Sequence, residues 1–156
     1  MTYVPLFDGA EAKVRDMLKH IEQGMRVQMC PIGYFTQKQF VEINRLRHDI
    51  GLHPLENNEV LFVGRHIYTS RSKDGYLISD MVLQISSALS VDAIPMISPR
   101  MTCMQNPHAR SDGYGNEVYD RGVFEMTARK PKAELFSVIP KGDDNKPIYA
   151  KSPPRG

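Results

Sequence analysis

Residues 63 to 71, VGRHIYTSR, place cations, an imidazole and three hydroxyls directly behind the apolar run Val60-Leu61-Phe62-Val63. These are the side chains that phosphodiester cleavage without a metal requires. That chemistry needs a base for the attacking 2'-hydroxyl, an acid for the departing oxygen and cations for the charge on phosphorus, which His, Arg, Lys, Ser, Thr and Tyr side chains can supply, although Arg65 and Arg71 fit surface pairs with Asp74, Asp80 or Glu59 equally well. The bland reading is a solvated loop after a buried strand, since such loops are common and most do no chemistry. Two backbone geometries are open. If the strand continues past Gly64, then Arg65, Ile67 and Thr69 share one face while His66, Tyr68 and Ser70 share the other. If a helix begins near Arg65, His66 and Ser70 are neighbours at i and i+4. The pair of His66 with Ser70 survives both.

Further candidates lie late in the chain. Arg129 belongs to the basic tip Arg129-Lys130-Pro131-Lys132, and Ser137 sits within LFSVI, either as an outward sheet residue or as a hydroxyl facing a site. The segment SDGYGNEVYD supplies Tyr114, Asn116 and Tyr119, and loop tyrosines stack on bases in some proteins, although a Gly-rich turn explains them equally. Arg100, Arg110 and Arg121 are scattered between the clusters. No phosphate loop, GxGxxG turn, HExxH or EF-hand pattern is present, so triphosphate, dinucleotide and zinc-protease chemistry lack support. Asp143 and Asp144 lie beside Lys141 and Lys146 and read as solvated charge rather than a metal site. Cys30 and Cys103 form no CxxC. No metal and no cofactor are expected.

The formal net charge is only +2, so any anion site must be local and not a property of the whole molecular field. No basic segment followed by an apolar one opens the chain, and no apolar run approaches membrane-spanning length. A soluble, cytoplasmic protein is the expectation.

The elements that must position these residues follow from periodicity. Val14, Met17, Leu18 and Ile21 predict a helix over residues 8–24, with Asp8 as N-cap. Thr36 and Gln39 make a capping-box pattern for a second helix through Ile50, its outer face carrying Lys38, Arg45, Arg47 and His48. EVLFVG reads as a strand, and ISDMVLQISSAL as a third helix capped by Ser79 or Asp80. From Pro95 onward the signals are short and β-like, with VFEMTA and ELFSVI joined as a hairpin. The expected fold is α+β: N-terminal helices packed on a C-terminal antiparallel sheet of three to five strands. A single domain covers residues 1–142, and residues 143–156 form an extended, partly disordered tail.

This order of elements, with a polar His-bearing segment after a strand and a late sheet ending in ELFSVIPKG, resembles the barnase, EndoU, colicin and RelE-like nuclease superfamily, in particular its phage-associated members. The resemblance covers residues 36 to 142 at the level of element order. It implies metal-independent RNA cleavage, with His66 as acid or base, Arg65 and Arg71 as phosphate contacts, and Arg129 and Ser137 as the cation and hydroxyl from late strands; Ser70 joins them through its pairing with His66. RNA, and an immunity or other protein partner, would then be the binding partners, with no membrane. The same basic residues also fit a non-catalytic accessory protein that binds protein or nucleic acid in a phage, plasmid or defence system. A third class, ADP-ribosyltransferase, lacks the paired glutamates it would need.

Overall fold

The computed structural model describes residues 9–127 and 130–148. Helix α1 (Ala10–Glu22) buries Val14, Met17 and Leu18, and its N-cap is Gly9 at φ 72°. Asp8, the cap expected from sequence, lies outside the described residues. Helix α2 (Gln37–Asp49) starts at the expected capping box: Thr36 Oγ1 accepts from Gln39 N at 3.2 Å, and Gln39 Oε1 accepts from Thr36 N at 3.0 Å. VGRHIYTSR is neither loop nor strand, because helix α3 runs from Gly64 to Lys73. Helix α4 (Ile78–Ala88) is capped one turn earlier than expected. Leu77 is the N-cap, and Asp80 sits inside the first turn, where Oδ2 accepts from Leu77 N at 2.8 Å.

Among the described residues seven strands join these helices: β1 (Cys30–Tyr34), β2 (Glu59–Phe62), β3 (Ile94–Ile97), β4 (Thr102–Gln105), β5 (Arg110–Ser111), β6 (Glu117–Thr127) and β7 (Lys130–Lys141). The sheet order is β1-β2-β7-β6-β4-β3, with β5 on β6. The expected α+β class stands, with two corrections. The sheet has seven strands instead of three to five, and it is mixed because β2 runs parallel to β7, pairing Val60 with Ala133 and Phe62 with Leu135. The helices are interleaved with strands and not gathered at the N-terminus. β1 was hidden by its composition, CPIGY, in which Pro and Gly disfavour a strand. It forms by pairing with β2 across a bulge between Pro31 and Gly33.

The helices share one face of the sheet. A Cβ built on Gly122 would stand 3.6 Å from the Ala88 Cβ of α4, so the even positions of β6 face the helices. Phe124 continues that side and meets Phe35 edge-on at 5.5 Å between ring centroids. Arg121, Val123 and Glu125 therefore project from the opposite face, where no described helix packs.

Gly64 lets α3 leave β2 at close quarters. A Cβ there would fall 2.8 Å from Phe62 Cε2 and 2.9 Å from Met17 Sδ, and both side chains are buried. Gly64→Ala is thus expected to lose about 1–3 kcal/mol to overpacking, more than any gain in helix propensity at the first turn. A urea midpoint that stays unchanged would show that α1 yields without cost.

Candidate functional site

His66 lies on the first turn of α3 and is exposed. Its Nδ1 is 2.6 Å from the carbonyl oxygen of Phe136, and the two rings meet edge-on with centroids 5.7 Å apart. A carbonyl only accepts, so Nδ1 is the donor. The bond therefore fixes both ring orientation and tautomer, and the neutral ring presents the Nε2 lone pair outward.

The other expected site residues divide. Ser70 is half-buried one turn after His66 on the same helix face, and Arg65 is exposed beside it. Arg71 is buried and pairs with Asp74 at 3.1 Å, which makes it an interior cation holding the end of α3. Arg129 lies outside the described residues. Ser137 is half-buried on β7, opposite Val123 in the register, and so projects from the helix-free face, away from His66. The structure places His66 and Ser70 on one face of α3, with Arg65 turned about 100° away around the helix, and leaves Arg71 and Ser137 apart from them.

Phe136 also lines a groove of about 500 Å³ at the end of the sheet, together with Arg47, Arg100, Thr102, Glu125 and Met126. Arg47 is the unexpected member. Its charge groups it with Lys38, Arg45 and His48 on the expected outer face of α2, yet it is only 4% exposed. It shares the inward stripe of Phe40 and Ile43 at helical spacing, and that spacing was the readable signal. Its charge hides the stripe.

Arg47 Nε donates to His53 O at 2.6 Å, Nη1 to Thr102 Oγ1 at 2.7 Å, and Nη2 to Met126 O at 3.3 Å. These bonds tie the last turn of α2 to β4 and β6. All three acceptors are neutral, and among the described residues no carboxylate pairs with it. Burial pushes the guanidinium pKa down, although arginine stays charged at neutral pH. A positive charge held in the wall of a groove without a counter-ion favours an anion there. Arg100, exposed on the turn between β3 and β4, adds a second cation at the rim.

A second polar cluster is structural. Arg110 donates to Asp120 through Nε at 2.6 Å and Nη2 at 2.9 Å, with Asp120 fully buried. Burial pushes the Asp120 carboxyl up, while Arg110 and Ser87 pull it back down. The adjoining cleft beside Tyr76, Gln84 and Tyr114 has a volume of only about 30 Å³, against about 500 Å³ for the groove.

Among the described residues no three His, Cys, Asp or Glu side chains gather to hold a metal ion, and no helix is long and apolar enough to cross a membrane. Compared with protein-family models, curated proteins and solved structures, the chain matches none.

Proposed function

We propose that the protein is a metal-independent RNA endonuclease, with the groove beside Phe136 receiving the backbone and His66 moving the proton. One observation carries this reading: Phe136 both anchors the His66 ring through its carbonyl and lines the groove that holds Arg47. In the reaction, the 2'-hydroxyl loses its proton to His66 Nε2 and its oxygen attacks phosphorus. The bond to the 5'-oxygen breaks, that oxygen takes up a proton from water, and a 2',3'-cyclic phosphate and a 5'-hydroxyl result. Arg47 and Arg100 offset the charge gathering on the phosphoryl oxygens, and a preset cation in a shielded groove is more effective at this than one in water.

The test is incubation of the purified chain with single-stranded RNA in excess EDTA, with fragments resolved by length and end chemistry. Cyclic phosphate ends are expected. Intact RNA at high protein concentration would overturn the reading.

A second reading has its own support. With Arg71 buried on Asp74 and Ser137 on the other face of the sheet, α3 offers one exposed arginine beside His66 and no second. This favours a nucleic-acid-binding protein without cleavage, whose affinity would fall steeply with salt and which would leave RNA ends unchanged.

A further inference from the structure

We infer that the helix-free face of the sheet carries an oxyanion site, built from Arg121 and Lys141, that takes a phosphate group. In the register of β6 with β7, Tyr119 faces Lys141 and Arg121 faces Ile139. Arg121 and Lys141 are therefore diagonal neighbours on one face, within reach of each other's long side chains.

Arg121 is 8% exposed and firmly aimed. Its Nε donates to Gln105 Oε1 at 2.6 Å and its Nη2 to Asn145 Oδ1 at 2.8 Å. Asn145 reaches it from the tight turn after β7, at φ 62°, a left-handed conformation that asparagine tolerates better than most residues. Both acceptors are neutral amides, so they orient the guanidinium without offsetting its charge. Nη1 is left over with no partner among the described residues.

Lys141 is half-buried and likewise pairs with no described carboxylate. Burial lowers its pKa, and Arg121 lowers it further. Two other buried cations are matched by carboxylates, Arg110 by Asp120 and Arg71 by Asp74, while Arg47, like Arg121, rests on neutral acceptors. Here two cations lie on one face, Arg121 oriented by two amides and Lys141 beside it, and no described carboxylate pairs with either. Such an arrangement repels itself when empty and is relieved by an anion. A planar guanidinium edge beside a movable ammonium suits a tetrahedral oxyanion, which offers several acceptor oxygens. The phosphate could be free, part of a small ester, or a link in an RNA backbone. The site owes nothing to His66 or the groove.

The experiment titrates inorganic phosphate into the isotope-labelled full chain at constant ionic strength, following the Arg121 Nε–H and the side-chain amides of Gln105 and Asn145 by NMR. Saturable shifts confined to these groups are expected. Lys141→Gln should weaken binding about tenfold or more, the loss of a hydrogen bond to a charged group, while Lys141→Arg retains it. His66→Ala should leave phosphate binding unchanged, which separates this site from the proposed nuclease centre. A short RNA that displaces phosphate identifies a backbone site, and one that does not identifies a small phosphate; either upholds the site. Shifts that never saturate, or equal affinity in Lys141→Gln, would overturn it.

Discussion

His66→Ala is expected to lower RNA cleavage by about 10²- to 10⁴-fold, the usual contribution of a positioned general acid or base. The expectation rests on how the ring is held. With Nδ1 committed to the Phe136 carbonyl, only Nε2 is available for proton transfer, and it faces away from the strand. The same bond makes a structural role conceivable, so alanine alone is ambiguous. His66→Asn separates the two. Its side-chain amide nitrogen replaces Nδ1 and keeps a donor for the carbonyl, while nothing replaces Nε2. Alanine should cost about 1 kcal/mol of stability and asparagine less, because a single hydrogen bond at an exposed position is at stake. Both should lose cleavage to the same extent. Recovery of cleavage in the asparagine variant would assign His66 to structure and end its role as proton carrier.

The local parts of this arrangement were readable. Thr36 and Gln39 announce the start of α2, because a capping box depends only on residues within one turn. His66 and Ser70 fall on one side of α3, as either backbone reading required. What the sequence left open was which backbone the stretch adopts, and this was decided by Gly64, whose missing Cβ lets the helix begin directly against Met17 and Phe62. That contact joins residues far apart in the chain, and no window around residue 64 contains it.

The groove was obscured for a related reason. A charged residue on a helix is read as solvated, since lysine and arginine are seldom fully buried without a partner. Arg47 breaks that rule by satisfying its guanidinium on carbonyls and a hydroxyl from β4, β6 and the loop after α2. Ser137 illustrates the converse difficulty. Its alternation with Phe136 and Val138 suggested two faces, but a bulge opposite Val123 and Phe124 inserts an extra residue in β7. Which face received the serine depended on a shift that composition does not record. The parallel pairing of β2 with β7 is likewise nonlocal, since it joins residue 60 to residue 133.

The largest loss of stability is expected from splitting Arg110 and Asp120. Removing either partner alone, as Arg110→Ala or Asp120→Ala, should cost about 3–5 kcal/mol, because the remaining charge stays buried without its counterpart. The geometry leaves little escape: Asp120 is fully buried, and both of its carboxylate oxygens are engaged by one guanidinium. Burial already raises the Asp120 carboxyl, so it is the arginine that keeps the charged form tolerable. The pair also carries β5, which is held to β6 by only Arg110 opposite Val118 and Ser111 opposite Glu117. The combined variant Arg110→Met with Asp120→Leu should recover most of the loss, since two apolar side chains of similar volume bury no charge. Urea unfolding of the two single variants and the double variant at neutral pH measures the coupling directly. A double variant as unstable as the sum of the singles would mean that the two residues act independently, and that β5 is anchored by packing instead of by the ion pair.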